Sequence, residues 1–147
     1  MVKKKEAKAK KAEKKAILVT GKRKESVARG VIKPGKGRIR INSIPLEIWG
    51  TELMRMRVME PLVLAGELAK KVDFEIRVDG GGTTGQADSV RQVIAKGLVE
   101  FFGSEELKQK FLAYDRNLLV PDVRRCEPHK PSRSRKGARR HKQRSKR

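Results

Sequence analysis

The chain has 147 residues and a formal net charge of +21, with 38 Lys and Arg against 17 Asp and Glu, and Cys126 is its single cysteine. An internal disulfide is excluded and a reducing compartment indicated, and no run of about 18 apolar residues is present to span a membrane. A field of this sign points to phosphate, whose neutralisation releases condensed counterion and makes binding tight and salt-dependent.

Residues 1–15 hold eight lysines against Glu6 and Glu13. They offer no apolar face on which a helix could dock, and they read as a mobile arm. The apolar run behind them, Ala16 to Val19, is too short for the core of a secretory signal, so a soluble, cytoplasmic protein is expected. Ala16 to Thr20 is a short β-branched run. Gly21-Lys22-Arg23-Lys24 is expected to interrupt it as a basic turn before strand character resumes from Ser26 to Ile32. Lys33-Pro34-Gly35-Lys36-Gly37 signals another turn, and Arg38-Ile39-Arg40-Ile41-Asn42 alternates basic with apolar. A second hairpin follows, with Ile39 and Ile41 inward and Arg38 and Arg40 outward.

Pro45, Leu46, Ile48 and Trp49 make a packed corner, and Thr51 caps a segment containing Leu53, Met54 and Met56. Pro61 then opens a second helical piece. Phe74, Ile76 and Val78 alternate with Asp73, Glu75, Arg77 and Asp79 as a half-buried strand. Gly80 to Gly85 is a glycine-rich turn. Asp88 to Phe102 is the strongest helix, with Val90, Val93, Ile94, Gly97, Leu98 and Phe101 on one stripe. Ser104 caps a last helix in which Leu107, Phe111 and Leu112 face in, and Leu118 to Pro121 closes the domain.

From residue 121 onward twelve Lys or Arg stand against only Asp122 and Glu127, with no aromatic. Such a stretch cannot bury enough apolar surface to offset its ordering entropy, so it reads as an extended tail awaiting a polyanion. Strands followed by helices on one face give an α+β domain over residues 16–120, with cationic arms at 1–15 and 121–147.

Gly80-Gly81-Gly82-Thr83-Thr84-Gly85 satisfies G-x-G-x-x-G between a strand and a helix, the context of a dinucleotide fingerprint. That fingerprint belongs to the first turn of a repeating βαβ domain, and no later strand here carries a ribose-binding carboxylate. A nucleotide-binding enzyme is therefore the alternative, and a tight packing turn the plainer reading. A third reading has the turn, with Gln86, facing a phosphate through free backbone N–H groups. Cys126, His129 and the distant His141 offer at most three metal ligands in a cation-repelling segment, and no cofactor is expected. The basic residues carry the function. They are Lys22, Arg23, Lys24, Arg29, Arg38 and Arg40 in the domain, and Arg124, Arg125, Lys130, Arg133, Arg135, Lys136, Arg139, Arg140 and Lys142 in the tail. The chain then ends on Arg144-Ser145-Lys146-Arg147. All six aromatics lie in the domain, which favours backbone contact by Arg and Lys over base stacking on aromatics. A general nucleic-acid packing protein is the other rival.

Several of these segments, in order, resemble one family. Thr20-Gly-Lys-Arg-Lys-Glu-Ser-Val-Ala-Arg29, the Lys33-to-Gly37 turn with Ile41-Asn42 after it, Gly80-Gly-Gly-Thr-Thr-Gly-Gln-Ala87, Asp122-Val-Arg-Arg-Cys-Glu-Pro-His-Lys130 and Ser145-Lys146-Arg147 are similar to the ninth protein of the small ribosomal subunit. The style is archaeal or eukaryotic, with Arg144 where many bacterial members have an aromatic, and residues 1–15 have no counterpart. The resemblance implies a domain like the second domain of the fifth small-subunit protein, seated on small-subunit rRNA in the head beside other head proteins. It also implies a tail threading toward P-site tRNA, with Arg144, Ser145, Lys146 and Arg147 at the tRNA and the other basic residues on rRNA.

Overall fold

Alternating apolar residues build the strands, and glycine decides how closely they approach the helices. The computed structural model describes residues 16–125, 127–133 and 136–137. Strand β1 (Ile17–Arg23) pairs antiparallel with β2 (Ser26–Pro34) across a turn at Lys24 and Glu25, where Lys24 takes a φ of 53°. The break expected at Gly21 does not occur, for Gly21 lies inside β1 opposite Ala28. A Cβ there would stand 2.3 Å from the Ser89 carbonyl oxygen, so this glycine permits close approach to a helix rather than a turn.

Three more strands complete the sheet: β3 (Ile39–Ile41), β4 (Ile44–Pro45) and β5 (Val72–Asp79), in the order β1-β2-β5-β3-β4. The expected second hairpin is thereby corrected. Strand β5 inserts between β2 and β3, antiparallel to the first and parallel to the second, so the sheet is mixed rather than antiparallel. Asp73 supplies the physical reason. Its Oδ1 accepts the backbone N–H groups of Lys36 and Arg38 at 2.7 and 2.8 Å, stitching the Lys33-to-Gly37 turn to β5. The Arg38 N–H, foremost among these donors, holds the Asp73 carboxyl below its usual range. The alternation in β3 holds, with Ile41 buried and Arg40 exposed. Pro45 sits on the outermost strand, where its missing N–H costs no ladder bond.

Helix α1 (Glu52–Ala65) runs unbroken through Pro61 instead of dividing there, burying Met54, Val58, Pro61 and Ala65. A 3-10 turn over Gly66–Lys71 leads into β5. Helix α2 (Thr83–Phe102) starts at Thr83 rather than Asp88, and buries Val90, Val93, Ile94 and Leu98 with Val19, Ile32, Phe74 and Ile76 of the sheet in one core. Helix α3 (Glu105–Tyr114) begins as expected, the Ser104 Oγ accepting the Leu107 N–H at 3.3 Å. Leu107 and Phe111 are buried, but Leu112 is exposed, being one residue and so about 100° around the helix from Phe111. The helices cover one face of the sheet. Among the described residues the other face is open, and it carries Lys22, Arg29, Arg40, Glu75 and Arg77.

Candidate nucleic-acid interface

Three of the stretches singled out above meet at one end of the domain. The β1–β2 turn carries Lys22, Arg23 and Lys24, and the glycine-rich turn lies against it. Gly80 and Gly81 take φ values of 73° and 67°. A Cβ on either would stand 2.8 Å from the Glu25 carbonyl oxygen or 2.9 Å from the Ser26 nitrogen. These glycines let backbone meet backbone, and the dinucleotide reading loses its basis. Thr83, Thr84, Gly85 and Gln86, expected in the turn, form the first turn of α2 instead. Gly82 at the helix start provides no side-chain cap, and no acid occupies the first turn. The Gln86 side chain donates to the Gly80 carbonyl at 3.2 Å, and its backbone N–H to that of Gly82 at 2.9 Å. The positive end of a 20-residue helix thus lies open next to the basic turn.

Arg23 differs from its neighbours. Its Nη1 donates to Asp122 Oδ2, and its Nε lies 3.6 Å from Asp88 Oδ2. Asp88 also takes Arg57 Nη1 at 2.8 Å, while Arg91 bridges Glu60 at 2.6 Å and Asp115 at 3.1 Å. Asp122 is gripped as well by Arg124, whose Nη2, Nε and backbone N–H approach it at 2.9, 3.0 and 2.8 Å. These bonds, the Arg124 side chain first, bring the Asp122 carboxyl down to about 2. Arg23 is therefore committed to carboxylates and ties the root of the tail to the domain. Nothing in the sequence flags this network, whose members are scattered from Arg23 to Arg124.

Lys22 and Lys24 are exposed beside that tie, Lys22 anchored only through its backbone N–H, which donates to Gln92 Oε1 at 2.9 Å. Arg29 stands on the open sheet face directly opposite Arg77, and neither has an ion-pair partner among the described residues. Like charges facing each other across a ladder are unfavourable, so the pair suits an anion lying over both. Sequence reasoning passes over Arg77 because it alternates with acids. Arg40 lies on the β3 side of that open face, and it and Arg38 also line an apolar groove between α1 and the β3–β4 hairpin. Arg125, Lys130, Arg133 and Lys136 are exposed along the described tail. Arg135, Arg139, Arg140, Lys142, Arg144, Ser145, Lys146 and Arg147 lie outside the described residues, as do Cys126 and residues 1–15. Among the described residues no three His, Cys, Asp or Glu side chains cluster as metal ligands. What the surface presents is a set of hydrogen-bonding cations able to grip phosphate oxygens.

Comparison with known proteins points the same way. Residues 21–147 match the model of a family described as ribosomal protein S9/S16. Small ribosomal subunit protein uS9 of Methanococcus maripaludis strain C7 is 50% identical over 131 residues, which is 89% of this chain and 98% of that relative. Its counterparts in strains C5 and S2 are 50% and 49% identical over the same shares. With a cationic end, a tied tail root and near-complete coverage of these relatives, the chain belongs to the ribosomal protein S9/S16 family.

Proposed function

We propose that this chain is a structural, non-enzymatic protein of the small ribosomal subunit, with its domain on rRNA in the head and its tail reaching P-site tRNA. Family membership carries the ribosomal role. A place in the cytoplasm goes with it, and no helix among the described residues is long and apolar enough to cross a membrane. The rRNA contacts are assigned to Lys22, Lys24, Arg29, Arg125, Lys130, Arg133 and Lys136, continuing through Arg135, Arg139, Arg140 and Lys142. Arg23 and Arg124 act by holding Asp122, which sets where the tail leaves the domain. Arg38 and Arg40 border an apolar groove, where a protein neighbour competes with RNA for them. Thr83 to Gly85 offer the open N-terminus of α2 to a phosphate, with Gln86 holding the turn through Gly80 and Gly82. The mixed sheet with helices on one side supports the likeness to the second domain of the fifth small-subunit protein.

The observation that carries the reading is the tail root, tied to the basic end of the domain by the Arg23–Asp122 ion pair. A chain end rich in cations and launched from a fixed point suits a phosphate cluster shared by two RNAs. Arg144, Ser145, Lys146 and Arg147 supply the tRNA contact, by electrostatics and hydrogen bonds rather than bond making. Deleting residues 145–147 is expected to leave the urea midpoint of the chain and its incorporation into subunits unchanged, while P-site tRNA affinity falls several-fold at moderate salt. Unaltered tRNA affinity in filter binding would reject the tail assignment and leave the rRNA role standing.

A further inference from the structure

Helix α1 is apolar on two opposite sides, and the described residues cover only one of them. Met54, Val58, Pro61 and Ala65 are buried. Met56, Met59 and Val63 follow at i, i+3 and i+7 on the outer side, 55%, 39% and 77% exposed, with Leu53 at 70%. One exposed apolar residue needs no explanation, but a second apolar stripe opposite the buried one, with Arg55, Arg57 and Glu60 between them, is more than a surface helix needs. Three of the chain's four methionines lie on this helix, and methionine packs adaptably against a partner.

The stripe runs into the groove beside β3 and β4, a cavity of about 750 Å³ with Ile39, Pro45, Leu46 and Leu62 among its apolar lining and Met59 and Val63 along its wall. Lys36, Arg38, Arg40 and Lys70 stand around it against Glu47 and Glu67, and Glu67 is already paired with Lys70 at 2.7 Å. The opening is therefore apolar within and cationic at its edge. Strand β4 is the last of the sheet, so among the described residues no further strand covers this side. The chain's own terminal segments do not suit it. Residues 1–15 and 138–147 are dominated by Lys and Arg and have few apolar side chains larger than alanine, so they would bring like charge to the rim. RNA has no apolar stripe with which to fill the groove.

We propose that this groove and the outer stripe of α1 together dock one amphipathic helix of a neighbouring small-subunit protein, apolar toward α1 and acidic toward Lys36, Arg38 and Arg40. The inference rests on the chain's place in the small subunit. Its test is photo-cross-linking in assembled subunits, with a benzophenone amino acid in place of Val63 and, separately, of Met56. The expected product at both positions is the same protein neighbour, joined through a segment with apolar residues at helical spacing and Asp or Glu alongside. Cross-links to rRNA, to a second copy of this chain, to a segment without acids, or to nothing would overturn the proposal. Val63→Glu gives an independent reading. Because the side chain is exposed, the urea midpoint of the full chain should hold, while occupancy of that neighbour in purified subunits drops several-fold. Val63→Lys, facing an acidic flank, should lose less, and full occupancy in both variants would sink the idea. Absence of the unsubstituted chain from small subunits would instead overturn the ribosomal placement, and this proposal with it.

Discussion

A single amide shows how local chemistry places the sheet edge. Asn42 takes a φ of 49°, a region asparagine tolerates better than most residues. Its Nδ2 donates to the Val78 carbonyl at 3.0 Å, its Oδ1 accepts the Val78 N–H at 2.9 Å, and its own N–H donates to the Ile76 carbonyl at 2.8 Å. The side chain thus continues the β3–β5 ladder past the point where the backbone has turned into β4. Asn42→Ala removes two side-chain hydrogen bonds and strains the turn, and about 1–3 kcal/mol of stability should disappear in urea unfolding. Asn42→Gly relieves the strain but does not restore the amide, so it should recover only part of the loss, and an alanine variant as stable as the original would show that the hydrogen bonds contribute nothing. In the sequence Asn42 announces only a turn former after an alternating run. Its partner lies 36 positions away, and no local pattern names it.

Elements are legible where periodicity is long and local. Strand β5 alternates over its whole length and the stripe of α2 repeats over several turns, so spacing alone identifies both. The insertion of β5 between β2 and β3 is not legible. A turn signal states that the backbone needs a partner, and here the partner is the Asp73 carboxylate from a distant strand. Nor is the passage of α1 through Pro61, where burial of the proline among core residues outweighs one missing helical hydrogen bond. The candidate site divides in the same way. Most of its exposed cations can be read off the chain, but Arg77 and the tie of Arg23 to Asp88 and Asp122 require the fold. Asp122, held first by Arg124 and also by Arg23, carries a pH prediction. The Asp122 carboxyl lies at about 2 in the folded chain against an ordinary 3.8, so it is lowered. A lowered carboxyl contributes above its ordinary value and loses that contribution as pH falls toward the folded one. The tail root should therefore be fully tied above about pH 4 and loosen toward pH 2. Backbone NMR relaxation at residues 122–125 reads this directly, and Asp122→Asn should be loose throughout. Order at the root that is indifferent to both changes would mean that the ion pairs do not hold it.

At the scale of the whole molecule, structure and charge are divided between different parts of the chain. Every residue of the buried cluster lies between Val19 and Leu118, whereas ten Lys and Arg lie between residues 127 and 147 against Glu127 alone. Stability and RNA affinity should accordingly separate. Truncation after Cys126 removes no core side chain and keeps Asp122 with Arg23 and Arg124, so far-UV circular dichroism and the urea midpoint should match those of the full chain. Binding to small-subunit rRNA should not. Each phosphate that is no longer neutralised lowers the slope of log K against log salt by about 0.7–0.9, and if even half of the ten cations touch phosphate the slope falls by roughly 3 to 5. Titration of both forms at several salt concentrations measures the difference. A slope that hardly changes would place the RNA-binding cations on the domain instead. Replacing Arg29 and Arg77 together would then test whether the open sheet face is the surface that meets RNA.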